Sequence, residues 1–277
     1  MRVALVQLIS SDDPRDNLRA ATELIRRAAA NGAALVATPE VTNCVSLSRD
    51  RQRDVLRTEA DDPVLAGLRD LAAELSVHLL IGSLALRTDG PRFANRSVLV
   101  GPAGEIRARY DKIHMFDVQI GPEEVYRESD SYRPGTEATL ASLGAATLGL
   151  SICYDLRFPH LYRALAQAGA GIIAVPSAFT RPTGAAHWEV LLRARAIETG
   201  CFVIAPAQTG RHPAQPGLRR RETHGHSMII DPWGRVLLNM GTPPGTAAVD
   251  LDLAQIAKAR ARIPALIDQP FDPPAGP

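Results

Sequence analysis

Two rhythms of apolar positions take turns along this chain. Residues 3–8 form a short apolar run of the kind that a buried strand leaves. Asp12-Asp13-Pro14 then supplies an N-cap and a first-turn proline, and Leu18, Ala21, Leu24, Ile25 and Ala28 recur at helical spacing. Gly32 is placed to stop that helix, and residues 34–38 read as the next strand. Asp62-Pro63 opens a second helix carrying Leu65, Leu68, Leu71 and Leu75, with a strand at 78–84. Hairpin signals follow. Residues 97–100 and 105–110 flank Gly101-Pro102-Ala103-Gly104, and 139–143 and 146–153 flank Gly144. Two further strand–helix units have strands at 171–175 and 201–205, and a last hairpin turns at Asp231-Pro232-Trp233-Gly234.

Crossover helices combined with hairpins imply a mixed α/β fold and not a purely parallel sheet. The strand count and the amphipathic helices suggest two sheets packed face to face, with helices outside. No internal repeat, low-complexity linker or composition break divides the chain, so one domain over residues 1–277 is expected. Its tail is expected to be extended from about residue 264, and its Pro/Gly-rich end, 270–277, to be either disordered or used in contacts.

Composition narrows the function classes. With 45% hydrophobic residues there is ample material for a core, and a net charge of +1 gives no electrostatic case for nucleic acid or an anionic membrane surface. The basic cluster 219–221 sits in a Pro/Gly-rich stretch and reads first as a solvated loop and second as a substrate-facing one. Three cysteines, Cys44, Cys153 and Cys201, are too few and too odd in number for a disulfide framework, which points to a reducing compartment. The N-terminal apolar run is too short for a signal peptide, and no run approaches the ~18 residues of a membrane span. A cytoplasmic protein is the expectation.

Three reactive side chains stand at strand ends: Glu40 after 34–38, Lys112 after 105–110 and Cys153 at the close of 146–153. Taken singly, each has an ordinary reading as a loop glutamate, a solvated lysine or a buried structural thiol. Together they would bring a base, a cation and a thiol to one rim. A free thiol has a pKa of ~8.5; an ammonium nearby lowers it, and a carboxylate nearby can take its proton.

Pro39-Glu40, Asp111-Lys112-Ile113-His114-Met115-Phe116-Asp117 and Cys153-Tyr154-Asp155-Leu156-Arg157-Phe158-Pro159 resemble, in order, the three catalytic blocks of the nitrilase superfamily of carbon–nitrogen hydrolases. The resemblance implies a four-layer α-β-β-α sandwich of two packed mixed sheets, a homodimer, and no metal or organic cofactor. It also implies a further glutamate in the segment 127–135, which selects Glu128 over Glu123 and Glu124. Asp111 departs from the family, which more often has a basic residue there. Residues 176–199, 225–234 and the inserted loop 116–128 are similar to the branch that contains deaminated glutathione amidase, and ω-amidase, acting on α-ketoglutaramate, is the nearest competitor.

The implied chemistry is hydrolysis of a small-molecule amide through a Cys153 thioester. Glu40 serves as acid and base, Lys112 and the Tyr154 backbone N–H stabilise the oxyanion, and Glu128 orients Lys112 or the substrate amide. On deaminated glutathione the products would be 2-oxoglutarate and cysteinylglycine. Arg157, four positions after Cys153, would clamp a substrate carboxylate or form a salt bridge, to Asp155 or elsewhere. Phe179 and Thr183 match pocket-lining positions of the branch. His212, His224 and His226 lack partners at zinc-like spacing, so no metal site is expected. His187 and Trp188 read as opening a helix. From another class, a sandwich protein that binds small acids or a partner without turnover would have no need of Glu40, Lys112 and Cys153 together.

Overall fold

A computed structural model of the chain describes residues 1–121 and 124–267. In chain order its elements begin with β1 (Arg2–Gln7), α1 (Pro14–Ala30), β2 (Leu35–Ala37), α2 (Arg49–Val55) and α3 (Pro63–Leu75). Next come β3 (His78–Leu86), β4 (Ala94–Val100), β5 (Ile106–Asp111), β6 (Asp117–Gln119), β7 (Val125–Arg127), β8 (Thr139–Ser142) and β9 (Thr147–Leu150). After α4 (Pro159–Gln167), β10 (Ile172–Ala174), α5 (Arg181–Thr199) and β11 (Phe202–Ala205) come β12 (Thr209–Arg211) and β13 (Glu222–His224). The last are β14 (Met228–Ile230), β15 (Val236–Asn239), β16 (Gly245–Asp250) and α6 (Ala254–Arg262).

The long helices start where the sequence caps them. Asp13 accepts from the Arg15 N–H with Pro14 in the first turn, and Asp62 accepts from the Leu65 N–H with Pro63 next to it. Two six-stranded mixed sheets result, ordered β16-β1-β2-β3-β4-β5 and β15-β14-β11-β10-β9-β8. At the centre of each, three strands run parallel: β1, β2 and β3 in one, β9, β10 and β11 in the other.

Strand alternation assigns each face. In the first sheet Val3, Leu5, Leu35, Ala37, Leu80 and Leu99 point inward and share one core with Leu148, Leu150, Ile172 and Ile204 of the second. The neighbouring Ala4, Val6, Val36, Leu79, Ile81 and Val98 point outward onto Ile25 of α1 and Leu65 and Leu68 of α3. Helices α4 and α5 cover the far side of the second sheet through Leu161, Leu165, Trp188 and Leu192. The layers are therefore α-β-β-α, as the resemblance implied. His187 and Trp188 lie within α5 and do not open it, contrary to the sequence reading; the helix starts at the Thr180–Arg181 step with Pro182 in its first turn. Residues 264–267 turn back on α4, where Arg163 and Gln167 donate to the Ala265 and Leu266 carbonyls. The stretch 268–277 lies outside the described residues.

Close approach of backbones holds the loop after β2. A Cβ on Gly82 would lie 1.9 Å from the Thr38 carbonyl oxygen and 2.6 Å from the Pro39 one. The β3–β4 ladder shifts register between Ile81 and Leu84, the irregularity that lets residue 82 face that loop. Gly82→Ala should therefore displace residues 38–40, lowering unfolding free energy by at least about 2 kcal/mol in urea titration. A wild-type midpoint would show that the loop moves aside freely.

Candidate active site

Strand direction brings the reactive residues to one rim. β5 runs antiparallel to β4, which runs antiparallel to β3, so β5 ends on the same edge as β2. Glu40 follows β2, Lys112 follows β5, and Cys153 and Ala178 follow the parallel pair β9 and β10 of the facing sheet. All four line one cavity of about 250 Å³.

The loop bearing Glu40 is pinned from several sides. Val41, a β-branched residue, is held at φ +49, in the left-handed region. Its N–H donates to Ser83 Oγ at 2.8 Å, and Thr42 Oγ1 donates to the Pro39 carbonyl at 2.8 Å. Cys153 is itself at φ +50, at the head of a tight turn over Cys153–Arg157, and its N–H donates to the Pro176 carbonyl at 2.9 Å. Two strained positions in the site are sustained by surrounding hydrogen bonds.

Asp155 ties the cysteine turn to the lysine segment. Fully buried, it accepts from the Ile152 N–H at 2.8 Å, the Tyr110 hydroxyl at 2.7 Å and the His114 N–H at 3.0 Å. His114 Nδ1 also lies 2.7 Å from it. The residues before and after Lys112 are thus fixed to the loop that presents Cys153.

Lys112 is buried between two carboxylates. Its ammonium lies 3.0 Å from Glu40 Oε1 and 2.9 and 2.8 Å from the two oxygens of Glu128. Neutral donors share the negative charge. Asn95 Nδ2 donates to Glu40 Oε1 at 2.9 Å, the Ala178 N–H to Glu40 Oε2 at 2.9 Å, and the Phe116 N–H to Glu128 Oε2 at 2.6 Å.

These contacts decide the protonation states. Burial alone would raise the Glu40 carboxyl, but the Lys112 charge, a hydrogen bond from the Cys153 thiol and the Arg221 charge together hold it below its ordinary value. Burial would likewise lower Lys112, and the Glu128 and Glu40 carboxylates outweigh it, keeping the ammonium charged. The thiol goes the other way. Burial first, then the Glu40 charge, push Cys153 well up, and Lys112 offsets only part of this. The sequence expectation that the ammonium lowers the thiol is therefore incomplete: the resting sulfur is a thiol hydrogen-bonded to a carboxylate base. Such a pair can transfer its proton as the sulfur attacks an electrophile, with an ammonium at hand for developing negative charge.

The carbon-nitrogen hydrolase family profile matches residues 2–261. The deaminated glutathione amidase of Yersinia enterocolitica is 40% identical over 95% of this chain and 91% of its own. The chain belongs to the carbon–nitrogen hydrolase family. Among solved structures, the NitFhit protein of C. elegans superposes with a TM-score of 0.87 at 36% identity, over 95% of this chain and 63% of that longer one. An amidase from Nesterenkonia sp. AN1, captured with acrylamide added at its active-site cysteine, superposes with a TM-score of 0.77 at 29% identity, over 95% and 98% of the two chains. The fold and the reaction class, hydrolysis of non-peptide carbon–nitrogen bonds, follow from membership.

Other expectations for this hydrolase divide. Tyr154, Phe179 and Thr183 line the cavity with the reactive residues. Arg157 does not; it packs over the Tyr154 and Phe179 rings, 5.8 and 5.7 Å from their centres, and meets His187 Nδ1 at 3.2 Å. Asp155, weighed as a partner for Arg157, is taken up by Tyr110 and His114. Asp111 is neutralised away from Lys112 by a two-pronged bridge from Arg96 at 2.6 and 2.9 Å. The inserted loop 116–128 contains a two-stranded ribbon, β6 against β7, whose Phe116, Val125 and Tyr126 wall the cavity. Arg221 overturns the solvated reading of cluster 219–221, since it turns inward and donates to the Ala178 carbonyl at 2.7 Å.

Sequence reasoning missed Asn95 and Asp155 as a tether, and ranked a substrate-facing 219–221 loop, which contains Arg221, second. An amide on an inward-facing strand position is the available signal for Asn95, but the strand read at 97–100 leaves it out, whereas β4 begins at Ala94. A pH prediction follows. Glu40 is depressed from 4.5, so the base form is lost only as pH falls below about 4.5. Lys112 is raised from 10.5 and Cys153 from 9.0, so neither titrates at mildly alkaline pH. The plot of kcat/KM should be flat from about pH 5 to about pH 9. A limb centred near pH 7 would contradict this pairing.

Proposed function

We propose that the hydrolase is an amidase acting on deaminated glutathione, releasing 2-oxoglutarate and cysteinylglycine, with Cys153 as nucleophile. Relatives bearing that activity in their names, from Yersinia enterocolitica to Homo sapiens, are 38–40% identical over 80–97% of their own length. The observation that carries the chemistry is the buried thiol hydrogen-bonded to a carboxylate that a lysine keeps ionised.

The reaction runs from that resting state. Glu40 takes the thiol proton as Cys153 attacks the amide carbon. Lys112 and the Tyr154 backbone N–H stabilise the oxyanion, one such donor lowering the barrier by ~3–4 kcal/mol. Glu40 then passes its proton to the leaving amine, because an amide anion does not depart unaided. Water, deprotonated by Glu40, resolves the thioester. Glu128, with both oxygens on the ammonium, holds Lys112 in place.

The enzyme works as a single-domain homodimer in the cytoplasm, in metabolite repair. All three cysteines are free and buried, which suits a reducing compartment. Exposed Val236 and Leu237 lie on the edge strand β15, and exposed Trp233 and Ile197 lie by its turn, where Ile197 packs at Gly234. An uncovered apolar edge of this kind suits a partner copy.

Several measurements test this reading. Iodoacetamide should alkylate Cys153 ahead of Cys44 and Cys201, with activity lost in step; inactivation through another thiol would displace the assignment. Lys112→Gln should lower kcat at least ~10²-fold in a folded protein. Purified enzyme should prefer deaminated glutathione to α-ketoglutaramate in kcat/KM, and the reverse order would make it an ω-amidase. Leu237→Lys should convert dimer to monomer by light scattering, and a wild type that sediments as monomer would remove the dimer.

A further inference from the structure

Two guanidiniums in the catalytic cavity are under-used. Arg49 and Arg221 both line it, and the Nε of each is buried with no hydrogen-bond partner among the described residues. Arg221 is anchored by one short bond, Nη2 to the Ala178 carbonyl at 2.7 Å. Arg49 Nη2 reaches the Pro91 carbonyl at 3.5 Å. Neither meets a carboxylate among the described residues, whereas nearby Arg51 faces Asp12 at 3.7 Å. A guanidinium edge turned from water without an acceptor is costly, and a carboxylate is the acceptor whose geometry fits it.

Charge in the cavity makes the same point. Its cations are Lys112, Arg49, Arg127 and Arg221, and its carboxylates are Glu40 and Glu128. Those carboxylates are engaged by Lys112 and by backbone and amide donors. In a chain of net charge +1, the cavity holds an excess of two positive charges. Such a wall draws in an anion and holds it where water is scarce.

The position of Arg221 says which part of a substrate it would meet. One residue, Ala178, links it to the base: its carbonyl accepts from Arg221 and its N–H donates to Glu40 Oε2. Arg221 therefore stands on the Glu40 side of the cavity. The departing amine must also stand there, because it takes its proton from Glu40. The rings that Arg157 covers, Tyr154 and Phe179, form another part of the wall.

We propose that Arg221, together with Arg49, forms a carboxylate-binding subsite for the leaving group, selecting amides whose departing amine carries a carboxylate, such as a C-terminal dipeptide, over primary amides that release ammonia. This rests on the amidase reading and supplies the basis for its substrate preference. Binding there does no covalent chemistry; it orients the leaving nitrogen toward Glu40.

The test separates the subsite from the substrate assignment. Deaminated glutathione and its analogue with the terminal glycine carboxylate converted to carboxamide are titrated by calorimetry onto Cys153→Ala protein. The acid should bind at least ~10-fold tighter, and adding Arg221→Gln should erase the difference. Arg221→Lys should restore only part of it, because a point charge does not reproduce the planar fork. In the active enzyme, Arg221→Gln should cost deaminated glutathione at least ~10-fold more kcat/KM than α-ketoglutaramate. Equal binding of acid and carboxamide, or equal losses on both substrates, overturns the subsite. Tight, Arg221-dependent binding of the acid without turnover by wild-type enzyme keeps the subsite and discards deaminated glutathione as substrate. Should Arg221→Gln fail to fold, Arg49→Gln, at the start of α2, carries the same comparison, and there too a retained acid preference counts against the proposal.

Discussion

Burying an ammonium is the constraint on which this architecture turns. Lys112 is 2% exposed, and a charge so far from water survives only where fixed dipoles and counter-charges replace its hydration. Two carboxylates do so, and each then needs donors of its own. Those donors come from β4, from the loop after β10 and from the segment after β5, so the cluster closes only when both sheets are docked. Removing the lysine alone would leave two carboxylates facing each other in a dry pocket, at a cost of order 3–5 kcal/mol. The site and the sandwich are held by the same bonds.

That arrangement also explains how a buried cysteine serves as a nucleophile. A permanent thiolate is made by lowering the thiol, and such sulfurs are easily oxidised. Here the sulfur keeps its proton at rest, because burial and then the ionised Glu40 beside it both disfavour the thiolate. Reactivity appears only when an electrophile is in place and the proton has somewhere to go. Asp155 makes this dependable by fixing the cysteine turn to Tyr110 and His114, on either side of Lys112.

Much of this was legible from residue order. Short apolar runs, aspartate–proline helix starts and glycine-bounded hairpins marked the main strands and helices, because each is a local signal with a local cause. The three reactive residues were legible for the same reason, each following an apolar run. What escaped was of another kind. Strand β16 runs Gly-Thr-Ala-Ala-Val-Asp and carries little apolar signal; it forms because β1 offers an open edge. The 116–128 ribbon and the inward turn of Arg221 depend on what faces them across the cavity. Asp155, which the sequence offers only as a salt-bridge partner for Arg157, is instead the centre of a network reaching 45 positions back along the chain. Long-range pairings of this sort leave no periodicity to find.

The pairing of β16 with β1 bears on how the chain is made. β1 is finished within the first ten residues, yet its second neighbour arrives near residue 250, and the Met1 amine is fixed by the Leu251 carbonyl. The inward side chains Val3, Leu5, Leu35 and Leu80 must also wait for β9 to β11 before they are covered. During synthesis, then, an apolar sheet with an open edge, its β1 to β5 finished by Asp111, precedes its own lid, which is complete only at Ala205. A nascent chain stalled in that interval would be a natural client for a chaperone, and a truncated one a natural target for proteolysis.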